Sequence, residues 1–135
     1  MASVDALAAV PLFSSLDEEQ LVNLAKWFHV QNAHEGVRLV GEGAPGYTFF
    51  VLIEGTAAVT SGDQTLAGLT AGDFFGEVAI LGDGRRTATV TSTSQARLLV
   101  LFGTEFRQLE AAYPEIASRI AEAMQARAGQ VTELA

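Results

Sequence analysis

The sequence has no cysteine, two histidines, and eight basic residues against sixteen acidic ones. Without cysteine there can be no disulfides and no thiolate metal sites, and we expect a cytoplasmic chain. The basic residues are scattered apart from one adjacent pair, so the basic stripe typical of nucleic-acid binders is missing. The net charge of −8 favours solubility, and it means that any anion-binding site must be built locally.

Long apolar runs are also missing, since none approaches the ~20 residues that a transmembrane helix needs. We therefore expect no membrane segment, and because the first residues carry no basic cluster, we expect no secretory or transit peptide. Two histidines, His29 and His34, are too few for a metal enzyme on a β-roll. No serine, histidine and acid form a recognisable nucleophile motif. We therefore expect no metal, no cofactor and no catalytic residue, and hence no enzyme.

What is present is typical of one packed domain spanning residues 1–135. The chain is 49% hydrophobic and 18% charged, which suits a folded core. Helical spacing of apolar residues predicts helices within about residues 2–28. Pro11 ends the first helical segment, and Asp17 is a candidate N-cap for a helix over roughly 17–28.

From residue 29 the pattern changes to short strands separated by glycine-rich turns, which is typical of a sandwich or barrel. The segment 47–53 is apolar on both faces, so it should be a central strand that is covered on both sides. Tight turns are predicted at 62–63 and 71–73. The segments with strand character are 37–40, 47–53, 57–60, 87–91 and 96–102.

The last third returns to helical spacing, which predicts two helices within about residues 103–128. Pro114 suits the first position of the second helix. One stripe comprises Phe102, Phe106, Leu109 and Tyr113, and the other comprises Ile116, Ile120, Met124 and Val131. The second stripe could pair two copies of the chain, although a single amphipathic helix more often packs on its own domain. The predicted fold is mainly β with flanking α: an antiparallel, jelly-roll-like β-roll over about 29–102.

The stretch 75–90 interrupts the strand pattern with a run suited to one helical turn at 77–81. A helix N-terminus offers unpaired N–H groups and a partial positive charge, which together suit an anion. Arg86 follows, and its planar guanidinium fits two phosphate oxygens. An acidic residue beside an anion needs an explanation, and Glu77 has one if its carboxylate accepts a hydrogen bond from a hydroxyl group of the ligand. These residues favour a ligand with both a phosphate and a free ribose hydroxyl.

The same stretch resembles the phosphate-binding cassette of the cyclic nucleotide-binding domain family. The matching residues are Phe75-Gly76-Glu77-Val78-Ala79-Ile80-Leu81 and Arg86-Thr87-Ala88-Thr89-Val90. Further matches are Glu42–Gly46 leading to Phe50–Gly55, Gly72–Gly76, and Val10–Phe13 before an acidic helix start. The resemblance spans roughly residues 10–128 and implies a β-roll with an embedded cassette helix between N-terminal helices and two C-terminal helices.

The resemblance also implies roles for individual residues. Gly76 and Glu77 would meet the ribose 2′-hydroxyl, and the backbone N–H of Ala79 would meet the cyclic phosphate. Arg86 would pair with that phosphate, and Thr87 would add an N–H and a possible contact to guanine. The full set of implied ligand-binding residues is Gly76, Glu77, Val78, Ala79, Arg86 and Thr87.

The function implied is a sensor of cAMP, or of cGMP, that performs no chemistry and couples binding to movement of its C-terminal helices. The alternative is a β-roll scaffold or interaction domain whose degenerate pocket binds no nucleotide. Three features depart from the family or are left open. Arg85 stands where many members have proline, Tyr47 stands where aspartate is common, and no motif shows which of Ile116, Ile120 and Met124 covers the base. The effector is not indicated.

Overall fold

The computed structural model describes residues 3–41, 48–75 and 88–127, the last four by their helical backbone. The described helices are α1 (Val4–Ala8), a 3-10 turn (Pro11–Phe13), α2 (Glu18–Ala25), α3 (Gly103–Ala112) and α4 (Pro114–Arg127). The predicted cassette helix at 77–81 lies outside the described residues.

Eight described strands form two antiparallel sheets. Sheet A has the order β1 (His29–Ala33), β8 (Ala96–Phe102), β3 (Thr48–Glu54) and β6 (Phe74–Phe75). Sheet B has the order β2 (Arg38–Val40), β7 (Thr89–Ser92), β4 (Ala57–Ser61) and β5 (Gln64–Leu69). Two antiparallel sheets with helices at both ends of the chain confirm the predicted fold, mainly β with flanking helices.

Sheet A is covered on both faces, as its central strand β3 shows. Phe49 and Val51 belong to an apolar cluster shared with the helices, which we call the helix-side cluster. Phe50 and Leu52 belong to a second cluster between the two sheets, which we call the roll cluster. Successive side chains of a strand point to opposite faces, so a strand covered twice must be apolar throughout. The prediction of a central strand covered on both sides is confirmed over residues 48–53.

Side-chain caps stabilise the first turns of α1 and α2. Ser3 caps α1 by accepting from the Ala6 N–H at 3.0 Å. Asp17 accepts from the Gln20 N–H at 2.9 Å, and the Gln20 side chain accepts from the Asp17 N–H at 3.0 Å. This reciprocal capping box confirms Asp17 as the N-cap of α2.

Two sequence predictions for the helices need correction. The helix starting after Asp17 ends at Ala25 rather than near residue 28, although Phe28 is still buried in the helix-side cluster. In α3 the buried stripe is narrower than the spacing suggested. Phe106 and Leu109 are buried, but Phe102 ends β8 and is 46% exposed, and Tyr113 is 36% exposed. Residues at the two ends of a short helix lie at the edge of the surface it packs on.

Within the part of the chain that the structure describes, none of the helices combines the length and apolar character that crossing a membrane requires.

Candidate functional site

The chain passes between the two sheets twice at the same end of the roll. One passage runs from Val40 at the end of β2 to Thr48 at the start of β3. The other runs from Phe75 at the end of β6 to Thr89 at the start of β7. The strand register places the ends of both passages at the same end of the roll. Val40 is opposite Val90, near the start of β7, and Phe75 is opposite Phe50, near the start of β3. We call this end of the roll the cassette end.

The described residues on either side of the predicted ligand-binding segment, Phe75 and Ala88, both lie at the cassette end. Residues 76–87 join Phe75 to Ala88 and lie outside the described residues. The predicted site residues fall within that range: Gly76, Glu77, Val78, Ala79, Arg86 and Thr87. Tyr47 and the cassette's Arg85 also lie outside the described residues. The structure therefore describes how the segment is anchored at both ends.

The first anchor is a pair of buried aromatic residues. Phe75 is fully buried in the roll cluster and stacks on Phe50, with ring centroids 4.9 Å apart and planes 14° apart. Phe74 points to the other face and contacts Phe49, with ring centroids 5.8 Å apart. Burying one such side chain contributes about 1.5–3 kcal/mol, and an aromatic pair adds about 0.5–1.5 kcal/mol. The chain thus enters residues 76–87 from a point fixed on both faces of sheet A.

The second anchor is small and apolar. Ala88 and Val90 are both fully buried in the roll cluster. Between them Thr89 lies opposite Thr60, while Val90 lies opposite both Val59 and Val40 in the ladder of sheet B. Strand β7 therefore has a hydrogen-bonded neighbour on each side, β2 and β4, within its first two residues. The chain that follows residues 76–87 thus enters the interior of sheet B.

A tight turn places β6 against the N-terminal helices. Gly72 has a φ of +99°, and a Cβ added there would meet Pro11 Cδ at 3.3 Å. The Gly72 N–H donates to Leu52 O at 2.8 Å, and the Thr70 N–H donates to an Asp73 carboxylate oxygen at 2.8 Å. Only glycine readily combines this left-handed backbone with so close a neighbour. The predicted turn at 71–73 is confirmed, and it ties the start of the cassette to the Pro11 segment.

The first turn of α3 also lies at the cassette end. Phe102, which immediately precedes α3, is opposite Thr48 in the ladder of sheet A. The Glu105 carboxylate accepts from the Phe102 N–H at 3.0 Å and lies 2.7 Å from Nε2 of His29. The spacing of residues could not reveal the His29–Glu105 contact, because its partners are 76 positions apart. The C-terminal helices thus begin beside the chain segments that flank the predicted site.

The candidates for covering a base are not over the roll in this arrangement. Ile116 and Ile120 are 3% and 2% exposed and belong to the helix-side cluster, on the outer face of sheet A. Arg119 on the same helix donates to the Ser15 carbonyl at 2.6 Å. The side chain of Met124 lies outside the described residues. Helix α4 is therefore packed on the N-terminal helices.

Across residues 3–41, 48–75 and 88–127, histidine and carboxylate side chains do not form a group of three or more suited to a metal ion.

Residues 30–113 match the model of the cyclic nucleotide-binding domain. The chain is 33% identical over 128 residues to a cyclic nucleotide-gated potassium channel of Rhizobium etli, covering 94% of this chain and 36% of the channel. It is 34% identical over 103 residues to a cAMP-dependent protein kinase regulatory subunit of Hypocrea atroviridis, covering 76% of this chain and 22% of the subunit. The chain thus spans about a third or less of these curated relatives.

Among solved structures, the N-terminal domain of a transcriptional regulator from Streptomyces coelicolor A3(2) superposes with a TM-score of 0.79 at 30% identity. The superposition covers 96% of each chain, so the likeness extends over the helices as well as the sheets. Because the family model covers well over half of the sequence and includes both anchors of the cassette, the chain belongs to the cyclic nucleotide-binding domain family.

Proposed function

We propose that this chain is a sensor domain that binds cAMP, or cGMP, and performs no chemistry on it. The observation that carries the proposal is the pair of fixed anchors, Phe75 and Ala88, at the two ends of a segment with the family's cassette sequence. The family match and the names of two relatives, one cyclic nucleotide-gated and one cAMP-dependent, support it.

Within the cassette we assign the roles that the family resemblance implies. Arg86 pairs with the cyclic phosphate through its fork of donors, together with backbone N–H groups of Val78 and Ala79. Glu77, beside Gly76, accepts a hydrogen bond from the ribose 2′-hydroxyl. These contacts form a local anion site, which the chain needs because its net charge of −8 repels a phosphate at long range. Thr87 adds a further N–H and can meet a guanine.

The place where α3 begins supports coupling between the nucleotide site and the C-terminal helices. Its first turn lies at the cassette end, next to Thr48 and on the chain that continues from β8. A nucleotide that draws the cassette inward would press on this turn and let α3 and α4 repack. Such a ligand shifts the equilibrium only by the difference in its affinity for the two helix positions. The side chains that would cover the base are then those of α4, including Ile116 or Ile120.

The unit that senses the nucleotide is the single domain 1–135, as the sequence predicts. In the relatives named above the matching stretch makes up 36% and 22% of the protein, and we infer that this domain likewise regulates an effector, whose identity the sequence does not indicate. A homodimer formed through the second apolar stripe of α4 would require Ile116 and Ile120 to leave the helix-side cluster, where both are buried. We place the domain in the cytoplasm, where cyclic nucleotides are made and read.

A scaffold with a degenerate pocket is the competing function, and nucleotide titration separates the two. Isothermal titration calorimetry should be run on the parent chain with cAMP, cGMP, 2′-deoxy-cAMP and 5′-AMP. The sensor predicts saturable binding of a cyclic nucleotide, weaker binding of the 2′-deoxy analogue because Glu77 loses its partner, and little binding of 5′-AMP. Absence of heat with both cAMP and cGMP, in a chain that melts cooperatively, would favour the scaffold.

A further inference from the structure

We propose that His29 is a positioning residue for nucleotide binding, because its contact with Glu105 holds the first turn of α3 against β1. The inference rests on the proposed function and adds a device that controls the affinity of that site. Neither residue belongs to the cassette or to the strands that flank it. Both act through the position of a helix.

The contact joins two elements that are far apart in the chain. Nε2 of His29 lies 2.7 Å from one carboxylate oxygen of Glu105, and the other oxygen accepts from the Phe102 N–H at 3.0 Å. One carboxylate thus satisfies a backbone donor at the helix start and fastens that start to β1. A carboxylate is also favoured there because the first turn of a helix is electropositive.

The place of the contact gives it a mechanical role. His29 is the first residue of β1, and its ring lies 6.3 Å from the ring of Phe102, which is opposite Thr48. Phe106 follows Glu105 and is 2% exposed in the helix-side cluster. Any shift of the first turn of α3 must therefore break the His29–Glu105 contact and withdraw Phe106 from the core, or carry β1 with it.

Two ion pairs of the described residues show what is particular about the His29–Glu105 contact. Arg97–Glu54 joins two strands of the same sheet, and Arg119–Glu115 lies within one helix. Neither is placed to restrain a helix against a sheet. The Glu105 side chain is only 23% exposed, against 64% for Glu54 and 71% for Glu115. A less exposed carboxylate is less screened by solvent, so its contact shifts an equilibrium more.

The size of the effect is bounded by the exposure of His29, whose side chain is 56% exposed. Pairs with one exposed partner change equilibria by roughly two- to five-fold. The contact therefore adjusts the balance between two helix positions without deciding it. The sign of the change in affinity then shows which of the two positions binds nucleotide more tightly.

The test compares His29→Ala with the parent and with Arg97→Ala, which removes an exposed ion pair at the other end of the roll. His29→Gln is the rescue variant, since its amide can donate to the same carboxylate. Hydrogen–deuterium exchange of residues 103–112 is measured without nucleotide, and the Kd for cAMP or cGMP is measured by calorimetry.

We expect His29→Ala to speed exchange in α3 and to change Kd by about three-fold in one direction. His29→Gln should return both values towards the parent, and Arg97→Ala should change neither. Unchanged exchange in α3 would overturn the contact's role, whether or not nucleotide binds. Faster exchange with an unchanged Kd would overturn its link to affinity. If the parent binds no cyclic nucleotide, the proposed function fails and the link to affinity falls with it, while exchange still reports whether the contact holds α3.

Discussion

The two ends of the roll are held together in different ways. At the end opposite the cassette, which we call the turn end, the β3–β4 and β7–β8 turns are joined by short hydrogen bonds. The Thr93 N–H donates to Thr56 O at 2.9 Å, the Thr56 N–H donates to Ser94 Oγ at 3.0 Å, and the two threonine hydroxyls lie 2.7 Å apart. At the cassette end, buried aromatic and small apolar residues fix the chain where it leaves and re-enters the sheets.

Because the two ends are held by different contacts, we expect them to contribute differently to stability and to nucleotide affinity. The turn end is closed by backbone approach and leaves little room for change. The cassette end holds its anchors firmly, yet it also carries the segment that contains the predicted ligand-binding residues, and the start of the C-terminal helices. Substitutions at the turn end should therefore change stability alone, and substitutions at the cassette end should change stability, affinity or both.

The largest effect is expected for Phe75→Ala at the cassette end. Removing a fully buried ring that stacks on Phe50 should lower the free energy of unfolding by about 3–5 kcal/mol, measured by urea denaturation. The matched control is Leu69→Ala, which empties a site 1% exposed in the same roll cluster but at the turn end. Corrected for the folded fraction, nucleotide affinity should fall for Phe75→Ala and persist for Leu69→Ala. Equal loss of affinity in both variants would remove the distinction between the ends.

Gly55→Ala should be the most damaging small change at the turn end. Gly55 has a φ of +94°, and an added Cβ would lie 2.4 Å from the Gln95 carbonyl oxygen and 2.9 Å from Ala96 Cα. Strain and overpacking together should lower the free energy of unfolding by about 3 kcal/mol.

Gly62→Ala is the control for Gly55→Ala. Its φ is +59°, but an added Cβ meets nothing within 4 Å, so it should lower the free energy of unfolding by only about 1–2 kcal/mol. Similar losses in the two glycine variants would show that the contact with the β7–β8 turn does not matter.

Ser92→Ala should have a smaller effect, again on stability alone. Ser92 is 1% exposed, and its hydroxyl donates to His34 O at 2.6 Å and accepts from the Val37 N–H at 2.9 Å. Truncation removes a buried hydroxyl and leaves its part-buried backbone partners in His34 and Val37 unsatisfied, so we expect a loss of about 1–3 kcal/mol in denaturation. Ser94→Ala, at a half-buried position of the same end, is the comparison for loss of a hydroxyl that is less buried than that of Ser92. A Ser92→Ala variant as stable as the parent would mean that water replaces the hydroxyl.

The sequence predicted the covered strands better than the exposed ones. Strand β8 has the predicted bounds, 96–102, because its apolar residues face two cores. Strand β1 gave no such pattern, since four of its five residues are exposed and only Ala33 is buried. In β5 only Leu69 is buried. A strand at the edge of a sheet is defined by its hydrogen-bonding neighbour, and alternation of side chains does not report that neighbour.

For the candidate site, local sequence was informative and long-range contact was not. The cassette motif is a contiguous stretch, so its residues could be named without a structure, and their roles stay predictions. The Phe75–Phe50 stack and the His29–Glu105 contact join residues brought together only by strand pairing. The position of Ile116 and Ile120 in the helix-side cluster likewise depends on how α4 packs on the N-terminal helices.

The central claim is that Arg86 makes this end of the roll a cyclic nucleotide site. Calorimetry of cAMP or cGMP binding to the parent, Arg86→Ala and Arg97→Ala tests it most directly, with a thermal melt of each. We predict that Arg86→Ala keeps its melting temperature but loses about 1.5–3 kcal/mol of binding free energy, as for a hydrogen bond to a charged group. Arg97→Ala should bind as the parent does. Parent-like affinity in Arg86→Ala would contradict the account.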